Sequence, residues 1–348
     1  MRKPILLSTI GVACLAGAAF AQQSASPQGA APKEATQTPQ QNQTAINGEI
    51  LHAQVLLDRA GFSPGPIDGR TGISFEDAIT NFQRSRGLEV TKRLDTPTRQ
   101  ALLQDKGPAT RMLRIAEGDL EGQYINPLPE DASEQAKLPR LAYRNPLEKL
   151  AEKFHTTPAT IVALNSPDTP LRAGTVLRLP AVLPTSRAYE GLKPEDAQLF
   201  SDLNVSAAYP NNQGDRIVVD KSERVLQVMK GDRVVASFPV SMGSEQYPLP
   251  IGDWKVTTYA FNPPFHYQPD ILQGTPEDAE EEMLPPGPNG PVGIAWLDLT
   301  KEHYGIHGTP EPQTLGRAES SGCIRMANWD VLRLSRMVKP GVIATFQA

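Results

Sequence analysis

The sequence predicts a multidomain protein in which two small domains precede an all-β domain. Apolar residues recur at helical spacing between residues 47 and 105, which predicts a small three-helix domain. Residues 139–181 combine two proline-started helices with a closing strand, which predicts a small α+β module. Residues 215–348 hold short β-branched and alternating runs between prolines and glycines, which predicts strands. A chain of 348 residues is long enough for all three domains.

The first 46 residues predict a targeting segment and a polar linker. Two basic residues precede an apolar run at residues 4–15, and Ala19 and Ala21 form a small-x-small cleavage site. This order is typical of a secretory signal peptide at residues 1–21, with an apolar run too short to cross a membrane. Residues 22–46 are rich in Gln, Ala, Ser, Thr and Pro, which predicts a disordered linker. We therefore expect a secreted, periplasmic protein; the alternative is a buried N-terminal helix.

The two cysteines lie at very different positions. Cleavage after Ala21 would remove Cys14 and leave Cys323 as the one thiol. Cys14 also suggests a lipoprotein, but Gly11 stands where a large aliphatic residue is expected. A lone thiol in a secreted chain cannot form an internal disulfide, so Cys323 is either a buried inert residue or a catalytic nucleophile.

The charge balance limits the partners. The formal net charge is −5, and no segment concentrates Lys and Arg. A phosphate-binding surface needs such a concentration, so the sequence argues against nucleic acid as a partner.

Each helix of the domain at residues 47–105 has a start or stop signal. Gly61 ends the first helix, Ser74 is the expected N-cap of the second, and Gly87 ends the second. Thr96 followed by a proline opens the third. The buried stripes are expected to be formed by Ile50, Val55, Leu56, Leu57, Phe75, Ala78, Ile79, Phe82, Leu102 and Leu103.

Two strings in this domain resemble a known family. They are G-F-S-P-G-P-I-D-G-R-T-G at residues 61–72 and F-Q-R-S-R-G-L at residues 82–88. Both resemble the peptidoglycan-binding helical domain found beside many wall hydrolases, and the resemblance covers nearly the whole domain. It implies peptidoglycan binding; the alternative is a three-helix spacer.

The module at residues 139–181 starts its helices with capping residues. Asn145 precedes a proline and has Glu148 three positions later, a capping-box pattern, and Thr157 repeats the cap-and-proline start. A closing strand follows at residues 174–180. These residues resemble a degenerate LysM module, although the family's opening strand and Gly-Asp-Thr turn are poorly matched. A glycan-binding role and a purely structural role are both open.

Strands dominate the domain at residues 215–348. Residues 216–220 form one strand, and residues 225–229 alternate before a Lys-Gly-Asp turn that leads into residues 234–240. This order predicts a β-hairpin. One helix is expected after Asn328.

Two motifs near the C-terminus carry groups for covalent chemistry. His307 lies in Tyr-Gly-Ile-His-Gly-Thr, and Cys323 follows sixteen residues later in Ser-Ser-Gly-Cys-Ile-Arg. An imidazole within hydrogen-bonding reach can take the thiol proton and stay charged beside the thiolate, so we expect the pKa of the thiol to fall. Gly308 and Gly322 remove bulk so that a substrate backbone can approach, and the Gly322–Cys323 peptide can offer N–H groups to an oxyanion. Tyr304 is a further candidate for substrate contact.

These motifs resemble the signature of the L,D-transpeptidase (YkuD-type) family, in which His-Gly-Thr is followed by Ser-His-Gly-Cys and an arginine. Residues 248–252 and 285–293 also resemble the family. The resemblance implies that His307 is the base, that Cys323 is the nucleophile, and that Arg325 fixes the site or the donor peptide.

The resemblance also implies a reaction that needs no cofactor. Cys323 would attack the carbonyl of diaminopimelate in a tetrapeptide stem, D-Ala would leave, and the thioester would pass to the amine of a second stem. Water as acceptor would give L,D-carboxypeptidase activity, and a lysine of an envelope lipoprotein would give protein attachment. The expected partners are thus peptidoglycan stem peptides and glycan, and a lipoprotein as an alternative acceptor. Ser321 stands where the family has a second histidine, which leaves a non-catalytic wall-binding protein as a further alternative.

Other residues have alternative readings. His303 and His307 are four positions apart and suggest zinc, but no second Cys or carboxylate cluster completes a site, so no metal is expected. His266 is expected to be a surface or packing residue. The acidic run at residues 277–282 is expected to be a solvated loop, or alternatively a lid. Trp296, like Tyr304, is either a core aromatic or part of the donor groove.

Overall fold

A computed structural model describes residues 45–272, 275, 279–317 and 322–348. The predicted signal peptide at residues 1–21 and residues 22–44 of the predicted linker lie outside this part of the chain. Residues 45–348 cluster into one unit. Within the described ranges, no helix is both long and apolar enough to cross a bilayer.

Three helices form the N-terminal domain, as the apolar stripes predict, but Leu103 is exposed rather than buried because it lies beyond the last residue of the third helix. Gly61 and Gly87 end the first two helices in the left-handed conformation, with φ of 94° and 64°, which glycine adopts without steric cost. The prediction of Ser74 as an N-cap is wrong, because the second helix already begins at Ile73, after Gly72 in extended conformation. The helices are α1 (Gly48–Ala60), α2 (Ile73–Arg86) and α3 (Thr96–Leu102).

The second module is closed by two paired strands. Strand β1 (Thr110–Arg114) pairs antiparallel with β2 (Val176–Pro180). The predicted range 139–181 therefore omits one of the two paired strands, because β1 lies upstream of it. The helices between the strands are α4 (Glu117–Leu120), α5 (Ala132–Ala136), α6 (Pro146–Lys153) and α7 (Pro158–Leu164).

The predicted caps of α6 and α7 are present. Asn145 Oδ1 accepts from the Glu148 N–H at 2.9 Å, and Thr157 Oγ1 accepts from the Thr160 N–H at 3.1 Å. The Glu148 carboxylate accepts from the N–H of Arg144, the residue before the cap, so the described contacts differ from a reciprocal capping box.

An eight-stranded sheet dominates the C-terminal domain, in the order β11-β10-β9-β6-β12-β3-β4-β5. Its β10–β11 and β12–β3 pairs are parallel, and the other pairs are antiparallel. The strands are β3 (Arg216–Asp220), β4 (Val225–Lys230), β5 (Arg233–Pro239), β6 (Gly252–Phe261), β7 (Phe265–Tyr267), β8 (Glu282–Leu284), β9 (Ala295–Leu299), β10 (Gly305–Thr309), β11 (Ile324–Ala327) and β12 (Ile343–Gln347).

The remaining elements of this part of the chain include two α-helices, a ribbon and short 3-10 helices at Pro210–Asn212, Pro269–Ile271 and Pro312–Thr314. Helix α8 (Pro194–Asp202) precedes the sheet, and α9 (Asn328–Ser335) is the helix expected after the second motif. Strands β7 and β8 pair with each other outside the large sheet. Strands β4 and β5 form the predicted hairpin.

The helical domain packs directly on that hairpin. Val218, Met229 and Val234 of the sheet share a buried apolar cluster with α1 and α2. Backbone hydrogen bonds also cross the boundary: the Ser63 N–H donates to the Ser237 carbonyl at 2.8 Å, and the Ser237 N–H donates to the Gly61 carbonyl at 3.1 Å. Burial of apolar surface is non-directional but strong in sum, so the two domains stabilise each other.

Candidate active site

A cleft of about 570 Å³ brings the two motifs together. His307, Cys323 and Arg325 line it, together with His303. The facing wall comes from residues 263–268, a segment that the sequence did not mark as part of the site.

His307 sits in β10 between two neighbouring strands. Its register partners are Arg325 on β11 and Trp296 on β9, and its side chain is buried. His307 Nδ1 lies 2.7 Å from the Gly308 carbonyl oxygen. A carbonyl can only accept, so Nδ1 carries the proton and the lone pair is on Nε2. The nitrogen of His307 that can accept a proton is therefore Nε2.

Trp296 fixes the plane of the imidazole. The two rings stack with centroids 5.3 Å apart and planes 11° from parallel. Trp296 Nε1 donates to Asp298 Oδ1 at 3.3 Å, which holds the indole in place. A Cβ at Gly305 would lie 2.3 Å from the indole ring, so this position needs a glycine. Trp296 also lines the cleft.

Burial sets the charge of His307. Desolvation, and next the positive charge of Arg325, lower the pKa of His307 to about 3. The imidazole is therefore neutral at pH 7.

The Cys323 thiol is protonated at rest for a similar reason. Its Sγ lies 3.6 Å from the His303 carbonyl oxygen, to which it donates. Burial raises the pKa of this thiol, while a hydrogen bond from the Gly305 backbone and the charge of Arg325 act in the opposite direction. The expected fall of the thiol pKa beside an imidazolium is thus wrong, because burial disfavours both charges.

Arg325 is the cation of the site. Two backbone hydrogen bonds tie it to Ser241: the Arg325 N–H donates to the Ser241 carbonyl at 2.8 Å, and the Arg325 carbonyl accepts from the Ser241 N–H at 3.1 Å. Burial lowers the pKa of Arg325, which nevertheless stays charged as arginines do. Its charge favours a thiolate on Cys323 and disfavours an imidazolium on His307.

Protein groups fill the space beside the two motif glycines. A Cβ on Gly308 would lie 2.0 Å from Asn328 Oδ1, so this glycine makes room for Asn328 rather than for substrate. Gly322 has φ of 110°, and its Cβ would lie 2.7 Å from the Tyr304 ring. Tyr304 thus packs on the chain next to Cys323, and the Lys301 Nζ lies 5.5 Å from its ring.

The other sequence candidates have mixed outcomes. Ser321 and residues 277 and 278 of the acidic run lie outside the described residues. His266 is exposed, as expected for a surface residue, and it also lines the cleft, where its Nε2 lies 3.0 Å from Glu281 Oε2. In the described ranges no group of three or more His, Cys, Asp or Glu is placed to hold a metal.

Two segments of this chain match family models. Residues 214–344 match the YkuD model, the L,D-transpeptidase catalytic domain, and residues 47–102 match the model described as "Putative peptidoglycan binding domain". The two matches fall on the C-terminal domain and on the helical domain, in agreement with both resemblances. The likeness of the middle module to LysM stays a prediction.

Curated relatives match part of this chain. A protein of Bacillus licheniformis named "Putative L,D-transpeptidase YkuD" is 35% identical over 126 residues, which cover 36% of this chain and 61% of the relative. The protein of the same name from Bacillus subtilis is 32% identical over 129 residues, covering 37% of this chain and 63% of the relative. The chain therefore spans less than two thirds of each.

Solved structures give weaker matches. An L,D-transpeptidase from Mycobacterium smegmatis has a TM-score of 0.31 at 21% identity, covering 38% of this chain and 58% of the other. An L,D-transpeptidase from Xylanimonas cellulosilytica has a TM-score of 0.36 at 14% identity, covering 87% and 95%.

Proposed function

We propose that this protein is a secreted, periplasmic L,D-transpeptidase that cross-links peptidoglycan through an acyl-enzyme on Cys323. One observation carries the proposal. Cys323 and His307 line the same cleft, and the hydrogen bond to Gly308 leaves Nε2 of His307 with its lone pair. A thiol and a neutral imidazole in one cleft are the groups that cysteine acyl transfer requires.

The first half of the reaction forms the thioester. His307 Nε2 takes the Cys323 proton as the sulfur attacks the carbonyl of diaminopimelate in a tetrapeptide stem. Because both groups are neutral at rest, proton transfer accompanies the attack, as in general-base catalysis. The charge of Arg325 and the N–H groups of the Gly322–Cys323 peptide stabilise the oxyanion. Breakage of the bond to D-Ala then returns the proton to the leaving nitrogen.

The second half transfers the acyl group to an acceptor. An amine of a second stem attacks the thioester, its proton passes to His307, and the thiolate leaves and is reprotonated. Water in the same position yields L,D-carboxypeptidase activity, and a lipoprotein lysine yields protein attachment. We favour the second stem, because the domain assignment is to transpeptidases.

The helical domain would hold the enzyme on its polymer. Its match to the peptidoglycan-binding model supports this role. The two-strand module formed by β1, β2 and the helices between them would add glycan binding if it acts as a LysM module, and otherwise serves as structure. No cofactor takes part in this scheme.

Product analysis tests the proposal. The full chain without residues 1–21 is incubated with disaccharide-tetrapeptide, with and without a lysine-containing acceptor peptide, and the products are weighed by mass spectrometry. A dimer lacking one D-Ala supports transpeptidation, tripeptide indicates carboxypeptidation, and an acyl-lysine product indicates protein attachment. No product from a folded protein that still binds sacculi would leave only the wall-binding role.

A further inference from the structure

Glu152 is a buried carboxyl that the middle module inserts into the C-terminal domain. It lies on α6 and is 8% exposed. Its Oε1 accepts from Asn328 Nδ2 at 2.7 Å, and the Tyr143 hydroxyl donates to its Oε2. Burying a carboxyl is costly unless it is hydrogen-bonded, so this contact is a specific one.

Asn328 connects Glu152 to the wall of the cleft. The Asn328 amide is fully buried at the start of α9, its Nδ2 also donates to the Pro288 carbonyl at 3.1 Å, and its Oδ1 accepts from the Ile294 N–H at 3.1 Å. It thereby holds both ends of the 288–294 turn, whose Pro291 and Val292 line the cleft.

The same amide lies against the backbone of the catalytic strand. Its Oδ1 fits between Gly293 and Gly308, where a Cβ on either glycine would approach to 2.0 Å. The carbonyl of Gly308 accepts the Nδ1 proton of His307. A shift of Asn328 would therefore move the group that fixes the His307 tautomer.

We infer that Glu152 and Asn328 are positioning residues for His307. Glu152 orients the Asn328 amide, Asn328 sets the backbone at Gly308, and Gly308 keeps the His307 proton on Nδ1. The inference rests on the proposed function for its catalytic meaning, although the positioning itself is a structural claim.

Protonation of Glu152 would tune this chain of contacts. Burial raises the pKa of Glu152 to about 7, hydrogen bonds from Tyr143 and Asn328 lower it, and the charge of Glu148 raises it. The negative charge of Asp202, on α8, raises the pKa of Tyr143. A carboxylate accepts more strongly than a neutral carboxyl, so ionisation tightens the hold on Asn328.

A pair of Glu152 variants tests the inference through turnover. Glu152→Gln keeps one acceptor and one donor but cannot ionise, so a rising limb of kcat near pH 7 should disappear while KM is unchanged. At pH 8 we expect about a tenfold lower kcat, since small misplacements of catalytic groups are costly. Asp119→Asn is the matched control. It breaks the 2.8 Å ion pair between Asp119 and Lys153, which lies on the same helix as Glu152, and it does not touch Asn328. The Asp119→Asn variant should keep the rise of kcat near pH 7. A Glu152→Gln profile that overlays the wild type would overturn the inference.

A second measurement does not depend on activity. In protein with ¹⁵N-labelled histidine, the His307 nitrogen shifts should report the Nδ1–H tautomer in the wild type and in Asp119→Asn. In Glu152→Leu, with folding checked by thermal melting, they should move towards a mixture. Unchanged shifts in a folded Glu152→Leu protein would refute the positioning claim even if turnover is real. If the His307 nitrogen shifts move as expected but neither the wild type nor any variant turns over substrate, the proposed function is refuted instead. If Glu152→Leu does not fold, the His307 nitrogen shifts are measured in Glu152→Gln above pH 8 instead. They must differ from those of the wild type for the inference to stand.

Discussion

Asp58 and Arg333 form a buried ion pair between the helical domain and the C-terminal domain. Arg333 Nη1 on α9 lies 2.7 Å from Asp58 Oδ1 on α1, and the side chains are 2% and 4% exposed. His155, which follows α6, lies 3.1 Å from the same carboxylate oxygen. Burial alone would raise the pKa of Asp58, but the charge of Arg333 and the contacts of His155 lower it to about 2. All three regions of the chain therefore meet on one carboxylate.

Removing that carboxylate should destabilise the whole unit. Asp58→Ala leaves Arg333 buried without its main partner, which typically costs about 3–5 kcal/mol. Urea unfolding at pH 7 measures the loss. The control Asp105→Ala breaks the more exposed pair with Arg59, whose side chains are 37% and 30% exposed, and should cost at most about 1 kcal/mol. Equal losses in the two variants would contradict this account.

The same pair predicts how stability depends on pH. Asp58 has a lower pKa when folded than its ordinary value of 3.8, so its contribution is full above pH 3.8 and is lost as pH falls towards 2. The slope of unfolding free energy against pH in this window should shrink in Asp58→Asn. Urea titrations at pH 2, 3, 4 and 5 compare the two proteins, and parallel curves would rule the assignment out.

Deletion of the helical domain should harm the enzyme as well as its wall binding. A tether that merely adds affinity could be removed without loss of turnover. Here, deletion of residues 45–105 exposes Val218, Met229 and Val234 and leaves Arg333 without Asp58. We expect a lower Tm and reduced turnover of soluble stems, measured by calorimetry and by product mass. A truncated protein with wild-type Tm would show that the shared core is dispensable.

Cys323 should be the acylated residue. Cys323→Ala should abolish turnover and keep the wild-type Tm, because an alanine fits the half-buried site without a new polar group. The family resemblance implies acylation by carbapenems, so intact-mass analysis should find one adduct on the wild type and none on Cys323→Ala. An adduct on the variant would place the nucleophile elsewhere.

Alkylation should report the raised thiol pKa. Iodoacetamide reacts with the thiolate, and burial raises the pKa of Cys323 above its ordinary value of 9.0, so the rate should be low at pH 7 and reach half its maximum above pH 9. Arg325→Gln should move the midpoint higher, because the charge of Arg325 favours the thiolate. His303→Ala should leave the midpoint in place, since His303 contacts Sγ through its backbone carbonyl. A wild-type midpoint below pH 8 would contradict the raised thiol pKa and would support a thiolate–imidazolium pair of Cys323 and His307 instead.

Local signals in the sequence located most elements. Gly61, Gly87, Asn145 and Thr157 marked real helix ends, because caps satisfy backbone groups within a few residues. The prediction for Ser74 was wrong, because Ser74 lies within the helix that it was expected to cap. The opening strand β1 went unrecognised because its partner β2 is more than sixty residues away, and pairing of that range leaves no local pattern.

By itself, the sequence determined the order of helical and strand-rich regions, the hairpin, and the thiol, imidazole and guanidinium of the site, because periodicity and motif spacing are local properties. The tertiary structure alone decided the protonation of that site. Burial raises the pKa of Cys323 and lowers that of His307, and no spacing of residues encodes how much water a fold removes. It also decided that Asp58 and Glu152, acidic residues of the other two domains, reach the helix that follows Cys323, because such contacts form only when distant segments pack together.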